Sequence, residues 1–376
     1  MRLRTFPVFM TFFVMGVADA MGPMADAVRR DYQLSNVLST LLPFFVFIAF
    51  AVFSVPGGVL GARIGKRRLL LLGLGTSAIA VLVPALRAPG FALLLACIFA
   101  LGVGTTFLQV AGNPIMRDVS APGAYARNLA FAQFIKGGGS ASSSYLVALL
   151  PAVGALGWRS SFPLFTAFMI AAFVAVLGLR VDEARDPSPP GFGGSLALLA
   201  TPAIAFAVAG IFLYVGAEVC LARFLQPTLA GLGLRQDRAA LFGPTLFFAC
   251  LTFGRLVGSG ILARLSADRF FRGTAVLGLL GTFALVAHSL PLALVAVVAC
   301  GLGFANVWPL VFSMTVERRP ERSAELSGLM CMAIAGGALV PLAMGKLLDQ
   351  GFGSASYAVP AACFAYLVAL GLRMAG

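Results

Sequence analysis

The stretch Gly57-Gly-Val-Leu-Gly-Ala-Arg63-Ile-Gly-Lys-Arg-Arg68 joins two apolar runs, Ser39 to Leu60 before it and Leu69 to Leu86 after it. Each run is close to the length of about 20 residues that an α-helix needs to cross a bilayer core. The join is short, glycine-rich and basic, which suits a tight turn at a membrane surface and leaves no room for a folded domain. Reading outward, the same pattern fills the chain. Spanning runs are expected at Phe6 to Gly22, Phe91 to Gly112, Asn128 to Leu150 and Ser161 to Leu179. After the polar segment Arg180-Val-Asp-Glu-Ala-Arg-Asp-Pro-Ser-Pro-Pro190 come Leu196 to Phe224, Leu241 to Leu262, Ala275 to Leu290, Leu292 to Met314, Ser327 to Leu348 and Tyr357 to Leu372. The pattern predicts an all-α membrane protein of twelve transmembrane helices. Residues 1–180 form one six-helix half, 181–194 a linker, and 195–376 a second six-helix half.

Composition agrees. Of 376 residues, 60% are hydrophobic and 11% charged, whereas a soluble chain is about one quarter charged. A soluble enzyme with a single anchor is excluded. The net charge of +13 would suggest nucleic acid in a soluble protein, but here it follows the loops. If span one starts inside, one side collects Arg2, Arg4, Arg63, Lys66, Arg67, Arg68, Arg117, Arg127, Arg180, Arg185, Arg264, Arg269, Arg272, Arg318, Arg319, Arg322 and Arg373. Because Lys and Arg are retained on the cytoplasmic side, both termini are expected in the cytoplasm and the chain in the inner membrane. Nucleic acid is not an expected partner; membrane lipid is, around a monomer. Ala18-Asp-Ala20 resembles a leader cleavage site, yet removing that segment would leave an odd number of spans. The six cysteines lie inside apolar runs without metal-like spacing and read as small buried hydrophobes. Neither a metal nor a cofactor is expected.

A single offset relates the two halves. Gly102-Val-Gly104 and Gly301-Leu-Gly303 stand 199 residues apart, as do Asp118 and Glu317, and Gly137-Gly138 and Gly336-Gly337. The same offset places Asp19 of span one over Glu218 of span seven. Parallel repeats of six helices, related by an axis along the membrane normal, form the architecture of the major facilitator superfamily, with a substrate site near the midplane. The opening stretch resembles that superfamily's signature between spans two and three, G-x-L-a-D-r-x-G-r-k-x, with Ala62 where Asp is usual. By this resemblance Arg63, Lys66 and Arg67 belong to a cytoplasmic gate.

Ionisable groups inside spans are costly and are functional candidates by default. Asp19 lies about 20 Å up the first helix and Lys136 about 12 Å into span five. Asp19 reads either as a proton carrier or as half of an ion pair. Lys136 has three open readings: counter-ion of Asp19, contact for an anionic ligand, or a side chain snorkelling to the interface. Glu218 is a second proton-coupling candidate. Arg223 reads as an interfacial cation or a substrate contact, and Arg255 as a pair across helices with a gating role. His288, at a span end, is not expected to relay protons. Among neutral groups, Gln109, Asn113, Gln133, Tyr214, Asn306 and Trp308 could read hydroxyls or clamp a ring. Singly, each could equally be interhelical glue.

These residues carry a resemblance to the fucose permease group, the fucose, galactose and glucose proton symporters. Tyr214-Val-Gly-Ala-Glu218-Val is similar to the group's span-seven signature; Asp19-Ala-Met-Gly-Pro23, Asn113-Pro114, Asn128-Leu-Ala130 and Trp308-Pro309-Leu-Val-Phe312 resemble its motifs in spans one, four, five and ten. The resemblance implies that Asp19 binds sugar or takes part in proton coupling. Gln109 stands where the group has a membrane Glu, and Lys136 and Arg223 stand where neutral residues are expected. Losing an acid and gaining bases favours a ligand carrying negative charge, such as a sugar acid. The expected function is secondary transport of a small hydroxylated solute by alternating access with proton symport, the proton being the coupling partner. A proton-coupled exporter of drugs or metabolites and a non-transporting sensor are the alternatives, and no enzymatic constellation appears.

Overall fold

The structure, a computed structural model, describes residues 5–39, 41–150, 157–181, 183, 191–287 and 289–374. These residues form helices and no strand. Among them, nine helices are long and apolar enough to cross a membrane. The other three expected spans also have helical counterparts, and each falls short for a visible reason. Span one is divided into Phe6–Met15, a 3-10 turn Gly16–Ala20 and Met21–Asp31. Span five, Tyr125–Leu149, carries Gln133, Lys136 and a run of glycines and serines. Span nine runs over Ala267–Ala284 rather than 275–290, and Asp268, Arg269 and Arg272 make its first two turns charged. His288 lies outside the described residues.

The chain packs as two compact units. The first takes in Met1–Pro122, Ile135–Leu196 and Arg319–Met332; the second takes in Gly123–Phe134, Ala197–Arg318 and Ala333–Gly376. Each unit therefore contains the opening part of span five or span eleven from the other sequence half, and these two segments nearly coincide in the 199-residue repeat.

Within each unit the repeat glycines permit the same close approaches. In the first, a Cβ at Gly102 would lie 2.9 Å from Ala49 Cβ, and one at Gly104 would strike the carbonyl of Gly73 and the side chain of Ser77. In the second, a Cβ at Gly301 would lie 2.8 Å from the Phe247 carbonyl, and one at Gly303 would strike the backbone of Gly278. Spans four and ten thus lie against their neighbours with backbone nearly touching backbone. The crossing of spans one and five rests on Gly139 against the Phe13 carbonyl, and that of spans seven and eleven on Gly336 against the Phe212 carbonyl. Phe13 and Phe212 are again 199 apart.

Several spans are broken where polar residues sit. Asp19 lies on the 3-10 turn of span one. Span ten divides into Leu290–Phe304 and Val307–Arg318 around Ala305 and Asn306. Span eleven divides into Ser323–Met332, a 3-10 turn Ala333–Ala335 and Gly336–Asp349. Span eight opens on a π-turn, Leu241–Thr245, in which Gly243 leaves helical geometry beside Pro244. Such breaks free backbone groups and commonly mark hinges or sites. All six cysteines are free, and all but the half-buried Cys250 are buried.

Candidate functional site

In the first unit the polar residues gather where span one crosses span five. Close packing of Gly16 against the backbone of Lys136, Gly139 and Ser140 brings the 3-10 turn onto span five. The Ser143 hydroxyl donates to the Gly16 carbonyl at 3.0 Å. Ser140 Oγ lies 2.5 Å from Asp19 Oδ2, to which it donates, and 3.1 Å from the Lys136 carbonyl. Asp19 is exposed, while Gln109 and Asn113 of span four are buried.

Lys136 is half-buried. Among the described residues no carboxylate lies within 4.0 Å of its ammonium; the ion pairs of this unit fall elsewhere. The proposed pair with Asp19 is therefore not formed in this structure. The charge of Lys136 reaches the buried thiol of Cys331, on the opening half of span eleven. Cys331 Sγ also lies 4.0 Å from Ser327 Oγ.

The basic end of this unit holds a second cluster. Gly65, at φ +95°, makes the turn between Leu41–Ile64 and Lys66–Leu86. Glu183 caps the second helix, accepting from Lys66 N at 2.8 Å and Arg67 N at 3.0 Å, a favoured place for a carboxylate. The Arg67 guanidinium donates to the Leu177 carbonyl at 2.6 Å. Arg63 is exposed. Lys66 turns inward to pair with Asp118, both side chains 2% exposed, and donates to Ser323 Oγ at 3.3 Å. Glu325, fully buried, accepts from Arg322 Nε at 2.7 Å, Arg322 Nη2 at 2.8 Å and Ser195 Oγ at 2.7 Å. A Cβ at Gly58 would lie 2.8 Å from the Ala324 carbonyl, and one at Gly328 2.7 Å from the Ser54 carbonyl. Span two and the opening half of span eleven are in backbone contact here. Although Ala62 cannot supply the usual carboxylate, the signature's Lys66 and two carboxylates from other spans still bind this end together.

In the second unit, Tyr214 and Glu218 lie one turn apart on Pro202–Gly231. Tyr214 is buried against Phe304, ring centroids 6.0 Å apart, and its hydroxyl interacts electrostatically with both Glu218 and Arg255. Arg255 reaches across helices: Nε donates to the Ala305 carbonyl at 3.2 Å, and Nη1 to the Gln133 carbonyl at 3.4 Å. Asn306 Nδ2 donates to the Gly254 carbonyl at 2.8 Å, so its amide binds span ten to span eight. Trp308 is buried and stacks on Phe312. Arg223 is exposed over the Phe224 ring.

The structure thus brings Asp19, Gln109, Asn113 and Lys136 into one unit, and Tyr214, Glu218, Arg255, Asn306 and the buried Gln133 into the other. Reading the sequence alone placed Ser140 only within the polar glycine and serine run of span five, and it missed Cys331, Ser323 and Glu325 as contributors. Asp118 was visible only as a repeat marker, although an acid directly after Arg117 at a span end was a usable signal. Glu325 and Ser195 are 130 residues apart, and no local pattern joins them.

A family model described as Major Facilitator Superfamily matches residues 8–341. The glucose/galactose transporter of Brucella abortus biovar 1 (strain 9-941) is 30% identical over 387 residues, spanning 97% of this chain and 91% of that protein. The L-fucose-proton symporter of Escherichia coli (strain K12) is 22% identical, spanning 95% and 89%. The crystal structure of FucP, a transporter of the superfamily in the outward conformation, has a fold similar to this one, with a TM-score of 0.86 at 18% identity over 99% of both chains.

Proposed function

The chain belongs to the major facilitator superfamily, and from that premise we propose that it is a secondary active transporter carrying a small hydroxylated solute, a sugar or sugar derivative, by alternating access in symport with a proton. It acts as a monomer in the inner membrane with both termini in the cytoplasm. The observation that carries this reading is Asp19: an exposed carboxylate on a 3-10 break within a span, held by one hydroxyl and set in a unit with buried amides. A carboxylate there can take a proton from one side and release it to the other, and the break lets it move without unwinding a full helix.

Gln109, Asn113, Gln133, Tyr214, Asn306 and Trp308 provide amide, phenol and indole groups suited to a polyol. Of these, Asn306 has its amide N–H on the Gly254 carbonyl, which leaves its oxygen for a ligand. Glu218, the repeat equivalent of Asp19, is the second proton-coupling group. Release toward the cytoplasm requires span eleven to part from span two, which breaks the Lys66–Ser323 bond and the contacts at Gly58 and Gly328. Arg63, Arg67 and Arg255 belong to the same gating machinery.

The test is external pH in a lightly buffered suspension of de-energised cells, with sugars and sugar acids added one at a time. A solute of this class alkalinises the medium with the native chain and does not with Asp19→Asn. Alkalinisation that persists unchanged in Asp19→Asn removes Asp19 from the coupling.

A further inference from the structure

Among the described residues, the ammonium of Lys136 forms no direct ion pair. It is half-buried within a span, and no carboxylate of the described residues comes within 4.0 Å. The carboxylate predicted to face it, Asp19, holds the Ser140 hydroxyl instead. The charge of Lys136 reaches the buried Cys331 thiol on the opening half of span eleven. A half-buried cation within a span and without a direct ion pair is costly, and its cost is relieved by an anion that arrives and leaves.

Resting on the transport reading above, we infer that the ligand is a sugar or polyol carrying one carboxylate, that Lys136 binds this carboxylate, and that the anion moves with one proton on Asp19 without net charge. The charge count carries the second half. Empty, the site holds Lys136 (+1) and an ionised Asp19 (−1), a sum of zero. Loaded, it gains the substrate carboxylate (−1) and the proton on Asp19 (+1), again zero. The binding order also follows from the charges. A substrate carboxylate drawn to Lys136 places a second negative charge beside Asp19, so anion binding recruits the proton. A neutral hexose lacks this coupling and would carry a net positive charge across.

The experiment uses the purified full chain in proteoliposomes with radiolabelled D-galacturonate, D-glucuronate and D-gluconate, and with D-galactose as the neutral probe. A pH gradient is imposed with the voltage clamped by potassium and valinomycin, and separately a voltage with no pH gradient. At least one acid is expected to accumulate under the pH gradient and to be unaffected by voltage. Lys136→Gln is expected to raise its KM by about thirty-fold, well beyond any change it makes for galactose, and Lys136→Arg to keep the acid preference. Galactose accumulating with acceleration by inside-negative voltage, while the acids stay inert, overturns the inference and leaves sugar symport standing. Acid uptake that inside-negative voltage accelerates overturns the charge count, and movement of none of the four solutes overturns both readings.

Discussion

Ser140 on span five donates its hydroxyl to Asp19 Oδ2 of span one across 2.5 Å. The bond forms because Gly16 and Gly139 let the two backbones meet, and it orients the one exposed carboxylate of the site. A hydrogen bond to a charged group contributes about 1.5–3 kcal/mol. Ser140→Ala is therefore expected to slow proton-driven uptake by about ten-fold or more at unchanged abundance in the membrane. In an Asp19→Asn background it should have no further effect on counterflow, as expected for two groups acting through one contact. Equal, additive losses in both backgrounds would mean that Ser140 acts on packing alone.

The Lys66–Asp118 pair gives a stability prediction. Both side chains are 2% exposed, and removing one partner strands a buried charge. Lys66→Ala should destabilise the protein by about 3–5 kcal/mol, and Lys66→Met combined with Asp118→Leu by much less, because the double variant strands nothing. Thermal unfolding in detergent measures both. A double variant less stable than either single would refute the account.

Much of the fold was legible because membrane crossing constrains composition directly. Nine of the apolar runs reappeared, among the described residues, in helices long and apolar enough to cross a membrane, and the offset of 199 residues reappeared as matched close approaches at Gly104 and Gly303 and at Phe13 and Phe212. What stayed hidden depends on contacts between distant segments. The 3-10 turn that carries Asp19 arises where Gly16 meets the backbone of span five, and no residue within Gly16–Ala20 dictates it. Span nine begins earlier than its apolar run because Asp268, Arg269 and Arg272 continue the helix ahead of that run. Asp19 and Lys136 were each legible as candidates, but their spacing in sequence could not show that Ser140, rather than Lys136, holds the carboxylate.

The contact between Gly58 and Gly328 predicts how the basic end opens. A side chain at Gly328 would meet the Ser54 carbonyl at 2.7 Å and Gly58 Cα at 3.1 Å, so Gly328→Val should push the opening half of span eleven away from span two. Cys331, one turn further on and fully buried, then becomes the reporter. With the other five cysteines replaced by alanine, N-ethylmaleimide should label Cys331 slowly in the parent and faster in Gly328→Val. Labelling at the same rate in both would show that this contact does not hold the end closed.

Arg255 links three helices, through the Ala305 carbonyl at the break of span ten, the Gln133 carbonyl of span five, and the electrostatic reach it shares with Tyr214 and Glu218. Its removal frees two carbonyls and withdraws a positive charge that acts on the Tyr214 hydroxyl. Arg255→Met should therefore lower the unfolding temperature, and Arg255→Lys, which keeps the charge but not the planar fork, should lower it less. If the charge of Arg255 is what offsets Glu218, adding Glu218→Gln to Arg255→Met recovers part of the loss, since an acid left in a span without its cation is costly. If the two carbonyl bonds are the whole contribution, the double variant is as unstable as the sum of the singles. The two outcomes separate an electrostatic role for Arg255 from a purely architectural one, and the architectural outcome would remove it from the gating machinery.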